Sequence, residues 1–244
     1  MLAGRKASEC SEQMSKAYLR IDDSPSKITP DFIDYLTDKG ITPIIFAVGK
    51  NIKKHFDNAV YVLKKGAIIG NHSFSHPQFS SLTFKQCISD IEKCELWLEK
   101  LYVTAEVERK YKFFAFPYGD KGGKNKDKLQ QYLKNKGFSR IDDRNINFDW
   151  YKEYNLDKDI DVFWTFDFGE YQLQQNNSFS YETILYRIHD KNPDNGGVLL
   201  EPNSNHIVMI HDHDMTNKVM PEYYKTILDH VMNCGVEFIT PKFI

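Results

Sequence analysis

The sequence of 244 residues has no CxxC pair and only four cysteines, Cys10, Cys87, Cys94 and Cys234. A secreted disulfide framework uses denser, more regular spacing, so no disulfide is expected. Cys87 and Cys94, the one close pair, fall on a helical pattern about 10 Å apart along the axis, beyond disulfide reach. All four thiols read as small buried hydrophobes rather than redox or metal groups. The opening MLAGRKASECSEQMSK contains no apolar run that could act as a signal-peptide core, and no later stretch is long enough to cross a bilayer. As written the chain reads as cytoplasmic, with export to the cell envelope the alternative if a leader has been removed. Neither sign of charge dominates: 32 Lys+Arg stand against 34 Asp+Glu, for a formal charge of −2. Nucleic acid and anionic membrane surfaces are therefore not expected as partners. G-x-S-x-G, the P-loop and G-x-G-x-x-G are all missing, which removes the usual signatures of serine hydrolases, NTPases and dinucleotide enzymes.

What is present suffices for a large core. With 41% hydrophobic and 14% aromatic residues, the chain needs no structural metal to fold, so any bound metal would serve chemistry. Residues 1–16 read as an N-terminal extension and 17–244 as one domain. From Lys16 onward short apolar runs alternate with helical patterns, the mark of strand–helix units around a mostly parallel sheet. Strands are expected at 17–21, 41–48, 67–69, 111–116, 161–166, 206–210 and 236–239. Helices are expected at 31–39, 57–65, 83–101, 129–136, 181–189 and 222–233, with Thr83 as an N-cap, and 172–180 reads as a loop. The fold class is thus α/β with about seven parallel strands.

In such folds chemistry gathers at the C-terminal strand ends. The residues expected there are Asp22-Asp23, His72 with His76, Pro117-Tyr118-Gly119, the segment Trp164 to Tyr171, and His211-Asp212-His213. His72 and His76 have the spacing that lets two imidazoles meet one zinc, and Pro77 pushes His76 out of helical geometry into a tight turn. Asp22 and Asp23 should point to opposite sides of an extended backbone, leaving one free as a base while the other binds a metal. His211 stands where a general acid could meet a leaving group. His211 and His213 form a rival metal pair, one that would leave His72 and His76 without a role. His55, His189 and His230 read as solvated, and His206 as structural or functional.

The ordered segments resemble the polysaccharide deacetylases of carbohydrate esterase family 4, the NodB-homology domain. RIDDSP (20–25) is similar to that family's T-F-D-D-G-P, and ITPIIFAVGKNI (41–52) to its A-T-F-F-V-V-G-K-N-I. GNHSFSHPQFSSL (70–82) is similar to G-N-H-[ST]-x-x-H-P, FAFPYG (114–119) to F-[RA]-x-P-Y-G, WTFDFGEY (164–171) to W-D-x-D-x-x-D-W, and IVMIHDH (207–213) to I-x-L-x-H-D. The resemblance implies a distorted (β/α) barrel and a metal-dependent hydrolase that removes N-acetyl groups from an N-acetylated sugar such as chitin, peptidoglycan or poly-N-acetylglucosamine. It makes Asp23, His72 and His76 the ligands of one divalent ion, zinc first, with Co, Ni, Mn or Fe as alternatives. Asp22 becomes the base, His211 the acid, the Tyr118 backbone N–H an oxyanion donor, and Glu170 the residue that orients His211. Pro117, Trp164 and Tyr171 become substrate-binding, with Asp149-Trp150 a competing match for the fourth motif. Two departures stand out. Ala115 occupies the position where the family often has an arginine paired with the base, so that Arg20, Arg140 or another cation must substitute, and Ser24 replaces a glycine beside the metal. An O-acetyl esterase, a deformylase, or a glycan-binding module with a decayed site are the alternatives.

Overall fold

The computed structural model describes residues 14–174 and 178–244. Cys10, most of the N-terminal extension and the middle of the 172–180 segment lie outside the described residues. Six parallel strands are present among the described residues: β1 (Ser15–Ser24), β2 (Ile44–Ala47), β3 (Ile68–Asn71), β4 (Phe166–Asp167), β5 (Asn205–His211) and β6 (Val236–Phe238). They run in the order β3-β2-β1-β5-β4, and β6 pairs with the start of β1. The expected strand at 111–116 is reduced to a bridge between Phe114 and Asn71, and that at 161–166 to the two residues of β4.

These reduced segments still close the sheet. Asn71 N–H donates to Phe113 O, Ala115 N–H to Asn71 O, and Val162 N–H to Phe114 O, which joins β3 through 113–116 to the chain entering β4. The result is a distorted (β/α) barrel with about seven strand positions. Residues at alternate positions of β1 point inward, so Tyr18, Arg20 and Asp22 share the interior face. Tyr18 packs there with Ile44 and Phe46 of β2, Phe113, Ala115, Val162 and Ile207. Gly70 permits the close approach of β3, since a Cβ there would stand 2.3 Å from the Phe113 ring.

The outer face is covered by helices α1 (Thr29–Asp38), α2 (Gly49–Lys54), α3 (Phe56–Lys64), α4 (Phe84–Ala105), α5 (Lys126–Asn135), α6 (Asp149–Glu153), α7 (Tyr181–His189), α8 (Asp214–Val219) and α9 (Tyr223–Asn233). α4 starts as expected, with Thr83 and Gln86 forming a reciprocal capping box. Its inward stripe, Ile91, Cys94, Leu98 and Leu101, is fully buried. α2 was not expected; it follows β2 directly at Gly49. Cys87 and Cys94 are buried as expected, whereas Cys234 is exposed, because it caps α9 on the solvent side.

Candidate active site

The parallel register sets the site's depth. Asp22 of β1 stands opposite His211 of β5, so both side chains rise from the same level of the barrel mouth. His72 follows the last residue of β3. Beyond these ends the backbone turns sharply: Asp23, Ser73, His76 and Tyr118 all adopt positive φ, between 57° and 65°. Left-handed conformations are costly for residues with a Cβ, and their concentration around one cavity marks a place where surrounding structure holds them. The turn at Asp23 overturns the expectation that Asp22 and Asp23 point to opposite sides. Both line one cavity of ≈ 530 Å³, with His72, His76, Tyr118, Trp164, Asp167, Tyr171, Met209, His211 and His213.

Asp23, His72 and His76 converge. Asp23 Oδ1 lies 3.1 Å from His76 Nε2 and 3.7 Å from His72 Nε2. Ligand atoms about 2.0–2.2 Å from one tetrahedral ion would be separated by about 3.4 Å, so these distances fit a shared cation. Asp23 Oδ1 is buried without a hydrogen-bond donor, which leaves it free for such an ion. The far atoms of His72 and Asp23 are already fixed. His72 Nδ1–H donates to Ala115 O at 2.8 Å, which presents Nε2 to the cavity, and His213 Nε2–H donates to Asp23 Oδ2 at 2.8 Å. Burial pushes His72 down to about 4, keeping its ring neutral at pH 7 as a ligand must be. Burial opposes the charge on Asp23, but the His213 hydrogen bond and the adjacent His76 and His72 rings hold its carboxyl well below the usual range.

Asp22 is gripped from below. Arg20 Nε donates to Asp22 Oδ1 at 2.7 Å and Nη2 to Oδ2 at 2.6 Å, while Nη1 donates to Val162 O at 2.7 Å. This bidentate pair is almost wholly buried, and the guanidinium sits 4.7 Å from the Phe46 ring centroid and 5.2 Å from that of Trp164. Burial would raise the Asp22 pKa, yet the Arg20 charge and its hydrogen bonds hold it below the ordinary value. Arg20 is therefore the cation that Ala115 cannot supply. Arg140 is engaged elsewhere, with Asp143 and the Asp157 carbonyl.

Across the cavity, the fully buried Glu170 accepts from His211 N–H at 2.6 Å and from His211 Nδ1–H at 3.1 Å. Burial alone would lower the His211 pKa, but the Glu170 carboxylate, with Asp167 and Asp23, raises it to about 10. Burial raises Asp167 to about 6. Tyr171 packs edge-on to the His211 ring at 4.7 Å, and Tyr118 against His76 at 4.6 Å. The Tyr223 hydroxyl donates to His211 O and accepts from His213 N–H, which fixes the β5 end. Asp212 faces away from the cavity and takes hydroxyl hydrogen bonds from Ser24, Ser26 and Thr29. Ser24 thus has a tether where the resembling motif has glycine.

Of the other expected site residues, Trp164 forms a wall shared with a neighbouring cavity of ≈ 790 Å³, which Trp150 also lines. Pro117 is buried beneath the Tyr118 turn and is not among the lining residues. His206 lies at the opposite end of β5, against Thr165 and Ser204. From sequence His213 was expected only as half of a rival metal pair with His211, and Asp167 had no expected role; instead both line the cavity, and His213 binds Asp23. Gly119 is needed where it stands: its φ is +65°, and a Cβ would meet Trp164 at 2.6 Å. Gly119→Ala is expected to cost at least about 1 kcal/mol, measured by urea denaturation, and to displace the Trp164 wall.

Comparison with known proteins now decides the family. The model described as "Polysaccharide deacetylase" matches residues 11–141, more than half of the chain. The chain belongs to the polysaccharide deacetylase family. It is 30% identical over 103 residues to a peptidoglycan-N-acetylglucosamine deacetylase of Bacillus cereus, a match covering 42% of this chain and 36% of that protein. It is 31% identical over 103 residues to chitin deacetylase 1 of Cryptococcus neoformans, covering 42% of this chain and 21% of that protein. The matched segments span little more than a third of these relatives at most. Among solved structures, a peptidoglycan N-acetylglucosamine deacetylase superposes with a TM-score of 0.59 at 17% identity, covering 97% of this chain and 95% of that one. A family 4 carbohydrate esterase from Streptomyces lividans gives 0.59 at 17%, covering 92% of each chain. A family 4 pseudoenzyme from Bacillus anthracis gives 0.61 at 16%, covering 93% of this chain and 65% of that one. At these identities the likeness establishes the barrel fold, and since a pseudoenzyme shares it, activity must be argued from the site.

Proposed function

We propose that the protein is a metal-dependent hydrolase that removes N-acetyl groups from an N-acetylated glycan of the chitin or peptidoglycan class. The observation that carries this reading is the convergence of Asp23, His72 and His76 in one cavity that also holds Asp22 in its Arg20 fork and His211 against Glu170. Arg20 favours the ionised form of Asp22, and Glu170 the protonated form of His211. Two titratable groups pushed apart in this way divide into base and acid. Asp23, His72 and His76 would hold the ion, which when bound supplies a Lewis acid for the carbonyl and an acidified water. Asp22 Oδ takes the proton from the attacking water, with Arg20 fixing the carboxylate's orientation. The Tyr118 backbone N–H donates to the carbonyl oxygen as it gains charge. His211 Nε2 gives its proton to the departing nitrogen, while Glu170 holds Nδ1. Tyr171 and Trp164 wall the acyl group and exclude water.

An amine is a poor leaving group unless protonated, and a His211 ring kept protonated by the Glu170 carboxylate suits amide cleavage. Acetate release from N-acetylglucosamine oligomers or peptidoglycan is expected to exceed release from acetylated xylan. Preference for the xylan would make the protein an O-acetyl esterase. Sugar binding without turnover under any divalent ion would make it a glycan-binding module. Both His211 pKa and activity should depend on Glu170. Removing its charge lowers the His211 pKa, so Glu170→Gln is expected to move the alkaline limb of kcat/KM to lower pH. An unmoved limb would separate Glu170 from the acid.

A further inference from the structure

Away from the barrel mouth, three metal-ligating side chains converge on the solvent side of α7 and α9. His189 ends α7, His230 lies in the last turn of α9, and Cys234 caps α9 one turn later. They were expected to be two independently solvated histidines and a buried thiol. Instead the two Nε2 atoms stand 3.1 Å apart, and Cys234 Sγ lies 3.6 Å from His230 Nε2. All three potential ligand atoms lie within 4.8 Å of one another. Around a tetrahedral ion with metal–nitrogen bonds of about 2.0–2.1 Å and a metal–sulfur bond of about 2.3 Å, neighbouring N···N and N···S separations are about 3.3 and 3.6 Å. The two edges that meet at His230 Nε2 match this geometry, and the His189–Cys234 edge is within 4.8 Å.

We propose that His189, His230 and Cys234 form a second metal site, independent of the catalytic reading, which takes a borderline-soft divalent ion of the zinc class and clips α7 to α9. Two imidazoles and a thiolate select such an ion over magnesium or calcium, and exposure leaves the fourth position to water. Binding forms the metal–sulfur bond as the thiol releases its proton to solvent. The site is remote from the catalytic cavity, which α7 meets on another side, where Arg187 Nη2 donates to Asp167 O at 2.8 Å.

Cobalt titration of the reduced full chain tests this directly, because a thiolate-to-cobalt charge-transfer band in the near ultraviolet reports sulfur ligation and Asp23, His72 and His76 offer no sulfur. The band is expected in wild type and in His72→Ala, to vanish in Cys234→Ser, and to collapse in His189→Ala with His230→Ala. Zinc content should fall by about one ion per chain in Cys234→Ser, and added zinc should raise the Tm of wild type more than that of this variant. No band at saturating cobalt, a band that survives loss of both histidines, or only millimolar affinity for zinc would overturn the second site. A loss of the band in His72→Ala alone would also overturn it, by tying the sulfur signal to the catalytic cavity.

Discussion

Replacing Arg20 with methionine is expected to destabilise the fold by about 3–5 kcal/mol, because it leaves the Asp22 carboxylate buried without its counter-ion. Methionine keeps much of the side chain's volume, so lost packing contributes less than lost charge. The guanidinium also supplies three donors that nothing nearby replaces: two for Asp22 and one for Val162 O. The catalytic signature follows from the sign of the effect. Arg20 lowers the Asp22 pKa, so its removal raises it, and the acid limb of kcat/KM moves to higher pH. Arg20→Lys keeps the charge and loses the fork, and should recover part of the stability and of the limb position. Urea unfolding together with a pH–rate profile checks both. A fully stable Arg20→Met protein with an unmoved limb would show that Asp22 does not rely on this pair.

The second large effect is on rate. Asp22→Asn preserves shape, and Asp22 is not among the three groups placed to bind the ion, so metal content should match that of wild type. Acetate release should nonetheless fall by roughly 10²–10⁴-fold, the range for loss of a positioned base. Arg20 would then face a neutral amide in a buried site, so a drop in stability is expected alongside the drop in kcat. The two are separated by measuring rates well below the variant's Tm. Wild-type turnover in a folded, metal-loaded Asp22→Asn protein would remove Asp22 from the role of base.

Much of the candidate site is legible in the sequence, because the candidate ligating and titrating residues sit at strand ends and within short ordered segments. The convergence of Asp23, His72 and His76 needed only those segments to fall at one barrel mouth. What was not legible depended on backbone turns and on distance through space. Alternation along β1 predicts opposed aspartates, and the left-handed turn at Asp23, at φ 65°, reverses that prediction. The same alternation, carried two residues back, puts Arg20 beneath Asp22 on the interior face, so the replacement for the missing arginine was within reach of strand periodicity. His213 was visible only as a partner for His211; its bond to Asp23 crosses 190 residues of sequence. The strands at 111–116 and 161–166 were expected as regular elements. The structure reduces them because their hydrogen bonds are spent closing a distorted barrel one bridge at a time. Nothing in the separations of 41 and four residues among His189, His230 and Cys234 signals a cluster until α7 and α9 pack side by side.

The most direct test of the central claim is acetate release from N-acetylglucosamine oligomers by protein stripped with a chelator and then titrated with zinc. The account predicts no release before addition, with activity returning in wild type and Cys234→Ser alike and never in His72→Ala. Undiminished release from the stripped protein, or full restoration in His72→Ala, would contradict it.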